Sequence, residues 1–393
     1  MIKRWFNVSL LQNKLVLHLK INWFNPSSCL LLGKQEHMAK KKVGILFGGK
    51  SVEHDISIIS AQNIAKYINR ELFEITLIGI NKSGDWFLCD EVSKDISKGV
   101  ALQLSLSASK PGFVANGAFV ELDVVFPVLH GTDGEDGNIQ GLFKSVDIPF
   151  VGSEALGSSV AMDKLTSKRV LQNAGVPVAK FLAFTNVEKE KIDFDTLVNA
   201  LGLPFIIKPA NLGSSVGVFK ISRKEGFKEK LDTLFMYDKV ALVEEFIEGR
   251  ELECSVLGNN HPIASPAGEI VLKGDYEFYS FEAKYVDGNA VDLIIPAKVT
   301  PEIEERIKQI SIKSFQTASC KDLARIDLFL KPNGDIVVNE INTIPGFTNI
   351  SMYPKLIGEL GISYPDLITR LIQLALERHK EDQTISTNFE SSL

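Results

Sequence analysis

Short apolar runs bounded by glycine and proline alternate with stretches of helical spacing through most of this chain. Val43–Phe47 reads as a buried strand, because a short continuous apolar run suits a strand covered on both faces. Apolar residues at Ile56, Ile59, Ile64 and Ile68 predict the helix that follows. Phe73–Ile80, Trp86–Leu88 and Val124–Leu129 read as further strands, with a helix from about Asn138. This alternation predicts an α/β domain with a mostly parallel sheet. Further on, Met162–Ala174 is expected to be helical, Phe205–Pro209 and Val218–Ile221 to be strands, and 211–217 to be a Gly/Ser loop between them. Lys239–Ile247, Leu252–Leu257 and 263–271 read as strands, 273–290 as a long irregular loop, and Pro301–Ala318 and Tyr364–Arg378 as helices. A polar tail from Glu381 is expected to be disordered.

Between the last two helices, two apolar runs flank Pro332-Asn333-Gly334-Asp335, a hairpin signal. Side chains alternate faces along a strand, so Arg325, Asp327 and Phe329 share one face. In the second run Val338, Glu340 and Asn342 are expected to share a face. A two-residue turn at Asn333-Gly334 sets Asp327 opposite Glu340 and Arg325 opposite Asn342. A three-residue loop opened by Pro332 shifts that pairing by one and needs a further bulge to bring the carboxylates together. Two carboxylates and an amide oxygen side by side form a hard-oxygen site suited to Mg²⁺. The plain alternative is a hairpin with a solvated polar face.

Composition narrows the class. The 393 residues are 45% hydrophobic and 23% charged, which suits a globular chain of two or three domains. A net charge of −6 without a long basic run argues against nucleic acid as a partner. Four scattered cysteines, with no CxxC, look like reduced thiols of a cytoplasmic protein. No apolar run approaches the roughly 18 residues of a membrane span. Residues 1–37 make a poor secretory signal, and Met38-Ala-Lys-Lys-Lys leads directly into the first strand. The expectation is that 1–37 lie outside the fold and reflect an upstream start; an amphipathic membrane-touching segment is the alternative. An intact Met1 in the native mass would exclude the first reading.

Other motifs need weighing. Gly44 to Ser51 fits G-x-x-x-x-G-K-S, but the residues between its glycines are the first strand itself, so a phosphate loop is rejected. Glu53 is expected near the helix start, where it either serves the helix dipole or faces a ligand crevice at the carboxyl end of the first strand. The acidic, Gly-rich string from His130 to Gly141 fails the EF-hand spacing. Lys208 immediately before the Gly/Ser loop suits a movable lid over phosphates. Taken together, Lys164, Lys208, Lys284, that lid and the carboxylate pair describe a nucleotide triphosphate held by lysines and magnesium outside a phosphate loop.

Over about 42–376 the chain resembles the D-alanine–D-alanine ligases of the ATP-grasp superfamily. The resemblance rests on G-G-K-S-V-E-H-D-I-S (48–57), H-G-T-D-G-E-D-G-N-I-Q-G (130–141), M-D-K (162–164), I-K-P-A-N-L-G-S-S-V-G (207–217), V-E-E-F-I-E-G-R-E (243–251), E-A-K-Y (282–285), A-R-I-D (324–327) and N-E-I-N-T-I-P-G-F-T (339–348). It implies a three-domain ATP-grasp architecture, α/β and α+β, with a Rossmann-like N-terminal domain over 38–152, a central lid-bearing subdomain over 153–243 and a C-terminal subdomain over 244–380. It implies ligation of two D-alanines through an acyl phosphate, for peptidoglycan precursors, with ATP and two Mg²⁺ (or Mn²⁺), in a cytoplasmic homodimer without nucleic-acid or membrane partners.

Residue by residue, the resemblance implies that Glu53 holds the first D-alanine's ammonium, with His130 near that substrate. Lys164 and Lys208 bind ATP phosphates and Lys284 the transferred one. Glu244, Glu245, Phe246 and Ile247 hold adenine, largely through backbone atoms, and Glu251 the ribose. Asp327, Glu340 and Asn342 bind the metal ions. Arg325 and the Gly346 N–H stabilise the oxyanion, while Ser351 and the Met352 N–H take the second substrate's carboxylate. Tyr285 closes the long loop towards Ser214 and Glu53, and the Glu-Ala-Lys-Tyr string implies the dipeptide-forming type, which prefers D-alanine to D-lactate.

Overall fold

A computed structural model describes residues 39–107, 111–273 and 291–386. The expectations for 1–37, for the irregular loop over 273–290 past its first residue, with Lys284 and Tyr285, and for the tail beyond 386 fall outside these residues.

The first sheet comprises β1 (Lys41–Gly48), β2 (Phe73–Ile80), β3 (Trp86–Cys89), β4 (Val100–Ser105), β5 (Gly112–Ala115), β6 (Ala118–Val120) and β7 (Val124–Pro127), in the order β6-β5-β4-β3-β2-β1-β7. Only β1 runs parallel to its neighbours, β2 and β7; the other pairings are antiparallel. The expectation of a mostly parallel sheet is therefore corrected. Parallel strands need a long crossover, and β2 to β6 follow one another too closely for one. Gly44 to Gly48 lie within β1, as the rejection of the phosphate loop requires.

Helix α1 (His54–Tyr67) follows β1. Its buried face carries Ile58, Ala61 and Ile64; Ile59 is exposed, contrary to the expected stripe. The last helix of the chain covers this face, so Leu367, Leu371 and Ala375 share a core with Ile58, Ile64 and Phe47.

After α2 (Asn138–Ser145) come two short helices, one that the sequence pattern did not predict and then the one expected over 162–174. The first, α3 (Ala155–Met162), ends at Asp163, whose carboxylate accepts from the Thr166 N–H and caps α4 (Lys164–Asn173). The cap places Lys164 at the first helical position.

The second sheet comprises β8 (Phe181–Thr185), β9 (Phe205–Pro209), β10 (Phe219–Ile221) and β11 (Val240–Glu245), ordered β10-β9-β11-β8 and antiparallel throughout. One face packs Phe205, Ile207, Ala241 and Val243 against α5 (Phe194–Leu201) and α6 (Phe227–Tyr237). Alternation turns Ile206 and Lys208 of β9, and Glu244 of β11, to the other face.

The third sheet, β12 (Arg250–Leu257), β13 (Ile263–Leu272), β14 (Val291–Ile294), β15 (Leu323–Leu330) and β16 (Ile336–Asn342), has the order β14-β13-β12-β15-β16. Helix α7 (Pro301–Thr317) supplies Ile307 and Phe315 to a core with Cys254, Val256, Ile326 and Leu328. Two C-terminal helices follow, α8 (Met352–Gly358) and α9 (Tyr364–Asp382). The last runs to Asp382, past the expected start of a disordered tail. No helix among the described residues is long and apolar enough to cross a membrane.

Candidate active site

The β15–β16 hairpin resolves the two registers left open by its sequence. Lys331 N–H donates to the Asp335 carbonyl at 2.8 Å, enclosing a three-residue loop in which Gly334 has φ +86°. Leu328 pairs with Val338, whereas Asp327 pairs with Glu340, so Asn339 is the extra residue of a bulge. The bulge restores the facing of Asp327 with Glu340 and of Arg325 with Asn342. It also moves Val338 off the expected shared face and into the core beside Ile336 and Ile341. Asn339 turns with Glu340 towards a cavity of about 460 Å³ between the second and third sheets. That volume lies within the range of small-molecule sites.

Lys164, Lys208, Glu244 and Ser214 line one side of this cavity, and Glu251, Glu253, Asp327 and Glu340 the other; Glu245, Phe246 and Ile247 complete it. Lys208 Nζ lies 3.0 Å from Glu244 Oε2 and donates to Asn339 Oδ1 at 3.2 Å. Lys164 Nζ donates to the Leu212 carbonyl at 2.7 Å, under the Gly/Ser loop, and lies 3.3 Å from Glu340 Oε2. The Glu245 carboxylate accepts from the Lys180 N–H at 2.9 Å, so its side chain is anchored to the backbone. Lys220 Nζ sits 4.6 Å from the Phe246 ring centroid.

Arg325 grips Asp327 through two parallel bonds, Nε to Oδ1 at 2.7 Å and Nη2 to Oδ2 at 2.8 Å, and its Nε lies 3.1 Å from Glu253 Oε2. Asn342 Nδ2 donates to Asp327 Oδ2 at 3.0 Å. Burial opposes the Arg325 charge, but Asp327 and Glu253 outweigh it and hold its pKa well above the usual guanidinium value. Among the described residues no three His, Cys, Asp or Glu side chains converge as a ready metal cage. Two carboxylates and one amide oxygen on a single strand pair nonetheless suit Mg²⁺, which takes few protein ligands and keeps places for phosphate and water.

Beyond the phosphate-facing lysines lies a second cluster. Ser214 Oγ donates to Glu53 Oε1 at 2.5 Å, which docks the Gly/Ser loop on the start of α1. Ser214 (φ +55°) and Ser215 (φ +59°) occupy the left-handed region, an uncommon backbone for non-glycine residues. At Gly131 (φ +78°) a Cβ would come 2.7 Å from Glu53 Oε2, so a side chain there would strain the backbone and displace that carboxylate. His130 Nδ1 bonds the Ile344 carbonyl at 2.9 Å and its Nε2 lies 3.1 Å from Ser60 Oγ. Burial pushes the His130 pKa down, against the pull of Glu53. Gly346 lies against Ser351, whose Oγ accepts from the Thr348 N–H at 3.1 Å. The Met352 side chain is core, packed with Ile270 and Leu356, leaving its backbone for any ligand role.

The structure adds residues that the sequence reading passed over. Glu135, inside the 130–141 string, accepts from Gly131 N–H at 2.7 Å and Ile344 N–H at 3.1 Å, clamping two loops. Burial and the Glu53 charge push its pKa up to about 8, against those two donors. Glu253 shares a face with Glu251 by strand alternation, and Lys168 stands one helical turn after Lys164; both spacings were signals. Asn339 could not have been found without the bulge.

A nucleotide-sized cavity between two antiparallel sheets, with lysines on one side and hard oxygens on the other, defines an ATP-grasp ligase, for which ATP and Mg²⁺ are the expected small molecules. Residues 42–153 match the family described as D-ala D-ala ligase N-terminus, and 170–373 that described as D-ala D-ala ligase C-terminus. The chain belongs to the D-alanine–D-alanine ligase family. A D-alanine–D-alanine ligase of Shouchella clausii is 47% identical over 366 residues, 89% of this chain and 99% of the relative. The D-alanine-D-alanine ligase structure from Coxiella burnetii superposes with a TM-score of 0.79 at 33% identity, covering 88% of this chain and 97% of that one. The VanG D-Ala:D-Ser ligase of Enterococcus faecalis does so with a TM-score of 0.78 at 34% identity, covering 86% and 99%.

Proposed function

We propose that this ligase joins two D-alanines into D-alanyl-D-alanine at the expense of ATP, in the cytoplasm, for peptidoglycan precursors. The observation that carries the reading is the cavity itself, with Lys164 and Lys208 on one side and Asp327 and Glu340 on the other. In the first step the carboxylate oxygen of one D-alanine attacks the γ-phosphorus, and the bond to the ADP oxygen breaks. In the second, the neutral amine of the other D-alanine attacks the acyl carbon, and the tetrahedral intermediate expels phosphate.

Lys164 and Lys208 hold the phosphate chain, and Glu244 to Ile247 with Glu251 line the nucleoside end. Glu53, with His130 behind it, receives the first ammonium. Arg325 and the Gly346 N–H face the oxyanion, and Ser351 with the Met352 N–H the second carboxylate. Asp327, Glu340 and Asn342 would hold two Mg²⁺, or Mn²⁺ in their place, which neutralise phosphate charge when bound. Ser214 keeps the loop docked on Glu53, excluding water from the acyl phosphate. Lys284 and Tyr285 take the transferred phosphate and loop-closing roles by resemblance alone.

We further infer a domain division at 38–152, 153–243 and 244–380, supported by three sheets in chain order, of which the second closes with β11 (Val240–Glu245) two residues past the later boundary, and a homodimer in solution. Incubation with ATP, Mg²⁺ and D-alanine, followed by mass identification, is expected to give the dipeptide with ADP and phosphate. ATP consumption only with other amino acids would refute the substrate assignment. With D-alanine and D-lactate together at neutral pH the dipeptide dominates; preferential ester formation would overturn that preference.

A further inference from the structure

Lys168 has no part in the chemistry above, yet its side chain is only 2% exposed. It lies one turn beyond Lys164 on α4, with Nζ 3.0 Å from Glu244 Oε1. The other oxygen of that carboxylate, Oε2, is 3.0 Å from Lys208 Nζ. Burial lowers the Lys168 pKa; at Glu244 burial acts upward, but the two ammonium groups overrule it and leave the pKa lowered. Lys208 and Glu244 reach the cavity wall, whereas Lys168 stands behind it.

Burying an ammonium is costly unless it is paired. Glu244 with Lys208 alone would form a one-to-one pair, and a neutral pair attracts a phosphate chain weakly. A second lysine on the same carboxylate leaves the cluster one positive charge in excess, and Lys208 is its member at the cavity. Asn339 holds the same ammonium from the opposite side through a neutral oxygen, which orients it without cancelling its charge.

We propose that Lys168 is a positioning residue that shares the Glu244 carboxylate and so keeps the charge of Lys208 available to the nucleotide's phosphates. This rests on the nucleotide reading given above. Binding of ATP with Mg²⁺, measured calorimetrically without D-alanine, is expected to weaken at least about tenfold in Lys168→Met. Adenosine, which lacks phosphates, binds that variant and the parent equally. The double variant Lys168→Met/Glu244→Gln recovers most of the lost preference for ATP over adenosine, because the neutralising carboxylate is gone too and any loss at adenine is shared by both ligands. Lowered thermal stability with unchanged ATP affinity would make Lys168 mere glue between α4 and β11 and overturn the proposal. Equal losses for adenosine and ATP, or a double variant no better than the single one, overturn it as well. Lys208→Met separates the two levels. If it leaves ATP binding unchanged, the nucleotide reading itself falls; if it weakens binding while Lys168→Met does not, only this inference falls.

Discussion

The two walls of the cavity use opposite charge arithmetic. On the second sheet one carboxylate, Glu244, stands between two ammonium groups, Lys168 and Lys208. On the third, one guanidinium, Arg325, stands between two carboxylates, Glu253 and Asp327. Each buried cluster pairs unlike charges, as burial requires, and opposite signs predominate among the three residues of each; Lys164, 3.3 Å from Glu340, joins the walls. A magnesium nucleotide offers the matching surpluses, phosphate for one wall and metal for the other. Neither wall would explain such a ligand alone.

The largest expected effect comes from the anionic wall. Asp327→Asn keeps the shape but removes a proposed metal ligand and the partner of Arg325, and turnover with ATP, Mg²⁺ and D-alanine is expected to fall on the order of 10³-fold. On the buried face of the same strand, Ile326→Ala is expected to cost about 3 kcal/mol of stability in denaturant titrations, with ATP affinity of the folded protein kept. If both substitutions act through stability alone, the distinction between the faces of β15 is lost.

Asn339→Ala removes the neutral partner of Lys208. At about 1 kcal/mol for a lost hydrogen bond, the KM for ATP is expected to rise about fivefold with kcat little changed. An unchanged KM would mean that the bulge serves only the register.

The smallest effect on turnover concerns Glu135. With its pKa raised from 4.5 to about 8, the folded protein holds a proton that the unfolded chain has released across that window. Stability from this source is present below about pH 4.5 and lost as pH rises through about 8. Glu135→Gln is expected to flatten the fall of thermal stability over that range; an undiminished slope would assign it to other groups.

Much of this site was legible in the sequence because strand alternation needs no tertiary information. Arg325 and Asp327 share a face as the pattern requires, and Lys208 precedes its loop where the strand ends. The register was not legible. A three-residue loop and a bulge compensate each other, and only the pairing reveals that Asn339 is the extra residue. The parallel character of the first sheet was overstated for a similar reason: apolar runs mark strands but not their direction. Buried charges were the least legible. Lys168 and Glu135 sit in polar-looking segments, and their enclosure depends on β11 and on the loop at Ile344, both distant in the chain.

The opposition of the walls is tested most directly by ATP binding with and without Mg²⁺ in Asp327→Asn and Lys208→Met. Asp327→Asn is expected to abolish the gain in affinity that Mg²⁺ gives while keeping metal-free binding. Lys208→Met is expected to weaken both forms. Equal behaviour of the two variants, or a full Mg²⁺ effect in Asp327→Asn, would contradict a division of the ligand between the walls.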